Sequence, residues 1–464
     1  MCIGRKEKVK LKMKLLMLFC CFFISACLTG CKTESMKSPE KLLEKPVTNE
    51  FNYKIYNDIR KLTPIDTTFI LPKNATEVGR INKVDLNSDG SKEVIAFKKK
   101  INENQDMNSI YMYIFESEGD SIVDDSERMV RISGDNIKYA NFVDINNDGK
   151  KEIVLQISNK GFENIYIYKY VDQTVKKMAE YSTSKYAIKL NFYDYNSSGK
   201  EEGLAILQDL TSFDAILSKV KIEGEEIVFD KFETSKNIDS LDKVDIINGK
   251  VSKNQRGSMV VYQNFDGSLV TQIVVYRDGK FVKAFSDDDG KLKNPSLVKP
   301  FDIDGDGILE IPKIEFKFSN NTPKESNIIT WYEWNGQIGK ESRLKTEKQI
   351  FYCYDYNFMI SIPNSIEKQF FIKQKYGTSK SIFEFYSRKA DESLERLFEI
   401  VVVQKNSEEV DTKAKTQNQE EEFSNVLSEN EEYTYIYKPI NKKNLKEYNI
   451  NFETIKEKFE IINK

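Results

Sequence analysis

Apolar and polar residues alternate in short runs along the middle of the chain, with the period of two that marks strands buried on one face. Such runs span Ile81 to Val84, Ala140 to Val143, Leu190 to Tyr193 and Val298 to Phe301. After the first three, a short polar stretch leads into a β-branched run: Val94 to Phe97, Ile153 to Leu155 and Leu204 to Leu207. The remaining spacing leaves room for two further strands, visible as Ile110 to Phe115, Ile165 to Tyr168, Gln272 to Tyr276 and Ile329 to Trp334. The last two end in the turn pairs Asp278-Gly279 and Asn335-Gly336. The pattern predicts consecutive four-stranded antiparallel units joined by tight turns.

The polar stretch between the first two strands repeats as a nine-residue loop. Its positions one, three, five and nine are Asp85, Asn87, Asp89 and Glu93; then Asp144, Asn146, Asp148 and Glu152; then Asp194, Asn196, Ser198 and Glu202; then Asp302, Asp304, Asp306 and Glu310. Position six is always glycine: Gly90, Gly149, Gly199 and Gly307. A worn fifth copy, Val244 to Gly249, keeps the lead-in and a glycine without the carboxylates. Counting Asp245, the first aspartates recur every 50 to 59 residues, a period typical of propellers and solenoids. Four short antiparallel strands per repeat make a blade.

The expected fold is therefore mainly β, a β-propeller of about five four-stranded blades over residues 51–350, followed by a small α+β domain over 351–464. Residues 51 to 78 could hold a further blade. In an EF-hand the sixth loop residue is also glycine, but the bidentate glutamate is at position twelve and a helix follows. Here a glutamate at position nine leads into a strand. Loop and strand pattern together resemble the FG-GAP/VCBS calcium-blade repeats of integrin-type propellers and bacterial surface proteins, over roughly residues 78 to 350. Those families usually carry Asp at the ninth position, where this chain has Glu.

Calcium is a hard cation that takes six to eight oxygens, and side chains at positions one, three, five and nine with a backbone carbonyl at seven can surround one point with oxygen. Glycine at position six permits the sharp turn. By carboxylate count, the Asp302 loop is expected to bind most tightly and the Asp194 loop most weakly. Asx-rich loops also make good turns by bonding their own backbone. That alternative explains any one loop, but not a glutamate at the ninth place of all four.

After Gln349 the repeat stops. Phe351 to Ile362 reads as a strand ending at Pro363, Phe370 to Tyr376 and Ser381 to Tyr386 as a hairpin, Asp391 to Phe398 as a short amphipathic helix, and Ile400 to Val403 as a strand. Glu408 to Glu432 reads as a loop or disordered insertion, Tyr433 to Tyr437 as a strand and Phe452 to Phe459 as a terminal helix. Cys353, in an apolar strand, is expected to be buried and inert.

At the other end, six basic residues precede an apolar run from Leu15 to Leu28 that is short for a membrane span. It closes in Leu28-Thr29-Gly30-Cys31, which resembles the bacterial lipobox. The resemblance implies a signal peptide over 1–30, a lipidated (diacylated, palmitate-type) Cys31 and a flexible tether to residue 50. Ile24-Ser25-Ala26-Cys27 is a second candidate. The expected location is the extracytoplasmic face of the cell membrane, as part of the cell envelope.

Removing the first thirty residues takes the net charge from −3 to −8, so no basic footprint for nucleic acid is left. The chain has no histidine, which excludes the Ser-His-Asp triad, the Cys-His dyad and histidine-ligated zinc. No enzyme activity is expected. A carboxylate pair acting on envelope glycan is the surviving catalytic alternative, and the uncommitted acids Asp287, Asp288 and Asp289 sit in a glycine-terminated turn. The expected function is a calcium-stabilised binding, adhesion or scaffolding module for an unidentified protein or glycan ligand.

Overall fold

The computed structural model describes residues 50–74, 78–100, 108–119, 121–123, 128–235, 238–285, 292–294, 298–314, 328–363, 370–388, 393–405 and 425–462. The expected signal peptide, Cys31, the tether, the Asp287 to Asp289 turn and most of the acidic insertion after Glu408 lie outside them.

The protein is mainly β. Four consecutive antiparallel meanders follow one another in chain order. Sheet one contains Ile81–Val84, Glu93–Lys100, Ser109–Phe115 and Met129–Ser133, and sheet two Asn136–Val143, Glu152–Asn159, Phe162–Val171 and Thr174–Thr183. Sheet three contains Tyr186–Tyr193, Glu202–Asp209, Ala215–Glu223 and Glu226–Ser235, and sheet four Asp245–Ser252, Gln255–Gln263, Leu269–Arg277 and Lys280–Lys283. A single parallel pair, Glu180 with Glu226, joins sheets two and three into one eight-stranded sheet. Sheet five begins with a bridge between Phe301 and Glu310 and continues through Ile311–Ile314, Ile328–Trp334 and Leu344–Cys353.

Burial follows position within each meander. The second strands, Glu93–Lys100, Glu152–Asn159 and Glu202–Asp209, are covered on both faces, so they read as continuous apolar runs rather than alternations. The fourth strand of sheet two, Thr174–Thr183, is the least buried of that sheet and carries Lys176 and Lys177. Apolar residues of neighbouring sheets share one core: Ile95 and Phe97 of sheet one pack with Ile153 and Leu155 of sheet two. Val154 and Leu190 belong to one core between sheets two and three, Leu217 and Val260 to one between three and four, and Met259 and Trp334 to one between four and five. Gly257 lets two strands of sheet four approach, since a Cβ there would lie 2.7 Å from the carbonyl oxygen of Val274.

Several sequence expectations need correction. Residues 50–62 form a helix, Glu50–Leu62, and not blade strands, because the apolar pair Ile55 and Ile59, four residues apart, are buried on one helical face. The worn fifth loop is no loop: Asp245 to Gly249 lie inside the strand Asp245–Ser252, and Lys253-Asn254 makes the two-residue turn into Gln255–Gln263. Phe351 to Ile362 is not one strand, because a turn at Tyr354–Tyr356 with Asn357 in the left-handed region (φ 52°) folds Phe358–Ser361 back onto Leu344–Cys353.

The expected helix from Asp391 to Phe398 is replaced by the long strand Leu394–Gln404, whose Leu397 to Val402 are all buried between partners on both sides. Tertiary burial there outweighs local helical periodicity. Within the expected insertion, Val426–Glu429 is a strand paired with Tyr433–Pro439. The terminal helix is present as Phe452–Lys458, preceded by a second short helix, Lys442–Glu447, that the pattern did not reveal.

The final strand, Phe459–Ile461, returns to pair with Phe358–Ser361 and so completes sheet five. The sixth sheet orders Phe370–Lys375, Lys380–Arg388, Leu394–Gln404, Tyr433–Pro439 and Val426–Glu429. It shares one core with the end of sheet five through Phe351, Phe358, Phe383 and Tyr435. The expected boundary at residue 350 therefore falls inside the strand Leu344–Cys353.

Candidate metal centre

The four acidic loops join the first and second strands of sheets one, two, three and five, and they share one backbone conformation. Position four is left-handed in each: Ser88, Asn147 and Ser197 at φ 56° to 61° and Gly305 at 82°. The glycine at position six lies between 81° and 89° in all four, a region that a Cβ opposes.

The hydrogen bonds repeat as well. The N–H of the sixth residue donates to the first aspartate, at 3.1 Å for Gly90 to Asp85, 2.8 Å for Gly149 to Asp144, 2.9 Å for Gly199 to Asp194 and 2.9 Å for Gly307 to Asp302. The N–H of the fifth residue donates to the third side chain: Asp89 to Asn87, Asp148 to Asn146, Ser198 to Asn196 and Asp306 to Asp304. The N–H of the seventh residue donates to the fifth side chain in the same order. These bonds turn the odd-numbered side chains toward the inside of the loop.

The ninth residue separates three loops from the fourth. Glu93, Glu152 and Glu310 are buried, and each accepts from the N–H of the loop's second residue: Leu86 at 2.8 Å, Ile145 at 3.0 Å and Ile303 at 2.9 Å. Burial pushes all three carboxyls up, Glu152 and Glu310 to about 7, against their backbone hydrogen bonds, and the neighbouring aspartates add to the rise. A buried carboxyl held this way is short of positive charge. Glu202 instead forms a 2.8 Å ion pair with Lys219.

The donor set suits a hard divalent cation. Oxygens of Asp302, Asp304 and Glu310 lie within 4.8 Å of one another, and Asp85 keeps a buried Oδ1 with no hydrogen-bond partner among the described residues. All donors are oxygens, the chemistry of calcium sites. The Asp302, Asp144 and Asp85 loops fit such an ion; the Asp194 loop, with two carboxylates and one already neutralised by Lys219, fits poorly.

No family model matches the chain, and no curated protein does. Among solved structures, that of a protein from Lactobacillus plantarum covers 64% of this chain and 85% of its own length, at 11% identity and a TM-score of 0.23. A likeness that loose carries neither fold nor function across.

Sequence reasoning missed the partners that reach the loops from elsewhere. Lys219 lies two strands away from Asp194 and has no local signature. The first two loops also touch: the N–H of Lys151 donates to the carbonyl of Leu86 at 2.9 Å, and the Ser88 hydroxyl donates to the carbonyl of Gly149. The N–H of Leu309 likewise donates to the carbonyl of Lys250 in the first strand of sheet four. Among the described residues no helix is long and apolar enough to cross a membrane.

Proposed function

We propose that the chain is a lipid-anchored extracytoplasmic protein whose meanders close as a calcium-braced β-propeller of the FG-GAP/VCBS type and serve as a binding or scaffolding module. The observation that carries this reading is one loop geometry recurring at the same corner of four sheets, with three of the four glutamates buried beside aspartates and short of positive charge. Calcium, when bound, neutralises these carboxylates and ties the first and second strands of each sheet together. Extracellular sites of this kind have a Kd of about 10⁻⁴ to 10⁻³ M, which suits a location where calcium is plentiful.

Cys31 at the end of the apolar run supports the anchor. A binding role rather than catalysis rests on a chain without histidine whose clustered acids are engaged in the loops. The test is chelation of the purified full chain in detergent, with elemental analysis. Chelator is expected to lower the melting temperature, and the untreated protein to carry calcium. At about ten to a hundred times Kd, each bound ion contributes roughly 1.4–2.7 kcal/mol. An unchanged melting curve in a protein that carries no calcium sinks the reading.

A further inference from the structure

The first strands of sheets two, three and four line a polar space that none of the acidic loops uses. It comprises two cavities of about 440 Å³ and 310 Å³ that share Asn74, Tyr139, Lys189 and Leu190 in their walls, and the larger is of a size that holds small ligands. Each of these three strands contributes one amide: Asn141, Asn191 and Asn248. Asn141 donates from Nδ2 to the Tyr139 hydroxyl at 3.0 Å, and Asn248 from Nδ2 to Asn191 Oδ1 at 2.9 Å. An amide nitrogen carries two hydrogens, so Asn141 and Asn248 each keep one donor that bonds to nothing among the described residues.

The charges in the same walls are unevenly matched. Lys299 pairs with Asp245 at 2.6 Å, and Lys138 pairs with Glu163 behind the wall. Lys189, where the two cavities meet, gives its ammonium to the backbone carbonyl of Val244 and makes no ion pair among the described residues. Exposed Lys73 has none there either. With Asp242 also in the wall, the cavity keeps a surplus of one positive charge. That balance suits a single carboxylate better than a dianion, and the spare amide donors suit hydroxyl groups. Burial pulls the Lys189 ammonium below its ordinary range, with Asp245 and Asp242 opposing, as expected of a partly buried cation lacking a bonded anion.

We propose that this cavity binds a small sugar acid, with the ligand carboxylate on Lys189 and its hydroxyls on Asn141 and Asn248. The proposal gives a ligand class to the binding role above, but it stands on residues outside the acidic loops. The test is calorimetric titration of the full chain in detergent and calcium with D-glucuronate, D-glucose and inorganic phosphate. Glucuronate is expected to bind at least tenfold more tightly than the other two. Lys189→Met, which keeps the aliphatic stem, is expected to weaken glucuronate binding by roughly tenfold, the loss of one charge-assisted bond.

Lys73→Gln, at an exposed position where folding is not at stake, is expected to weaken it severalfold. Absence of glucuronate binding at millimolar concentration, equal binding of glucose or phosphate, or wild-type affinity in both variants overturns the proposal. The melting response of the same samples to calcium reports on the loops separately, so failure of one reading is distinguishable from failure of the other.

Discussion

Glu93, Glu152 and Glu310 each accept from the N–H of the loop's second residue, and the hydrogen bonds they make do not offset the water they lose. A carboxyl whose pKa is raised in the folded chain binds its proton more tightly there than in the unfolded chain. Without metal, it therefore contributes stability that is complete below its ordinary value of 4.5 and is lost as the pH rises through about 7. The metal-free protein is expected to lose stability between pH 5 and pH 8, and the Glu152→Gln/Glu310→Gln double variant to lose less over the same interval. Calcium requires the carboxylates, so its stabilising effect is expected to grow over that interval. Thermal melts at both pH values, with and without calcium, check both signs; an equal pH slope in the double variant refutes the burial argument.

Among the elements, the four loops are alike in backbone and unlike in charge. Lys219 already supplies a positive charge to Glu202, so the Asp194 loop does not need an ion to offset its ninth residue. Asp194→Asn is expected to leave the calcium content of the purified protein unchanged, and Asp302→Asn to lower it by one ion per chain; elemental analysis of both variants decides. The loops were legible in the sequence because their geometry is local: positions one, three, five, six and nine are set by bonds within nine residues. The strands entering them were legible through their period of two, and those leaving them through their short apolar runs. Lys219 was not, because strand pairing brings it there from outside the repeat. Asn248-Gly249 read as the end of a worn loop, yet Asn248 is engaged by Asn191 and Ser258 from neighbouring strands, and the chain turns four residues later. The misread helix at Asp391 to Phe398 failed for a related reason, since periodicity carries no information about two flanking strands.

In the molecule as a whole, the C-terminal region is stitched into sheet five and not merely appended to it. Phe459–Ile461 pairs with Phe358–Ser361, and buried Ile455 and Phe459 fill the core shared with the sixth sheet. A chain ending after Tyr448 is expected to lose roughly 4–8 kcal/mol through those two side chains alone. Denaturant melts of the two lengths measure this, and equal midpoints would mean that the return strand adds nothing to the fold. No local pattern announced this return, because the pairing joins segments about a hundred residues apart.

The same core holds Cys353, the one cysteine among the described residues, 3% exposed and with its thiol pushed by burial up to about 12. Such a sulfur reacts with a disulfide reagent only after the surrounding sheets part. The rate at which the native protein releases a coloured thiolate would therefore clock the opening of this one region, with no label to attach.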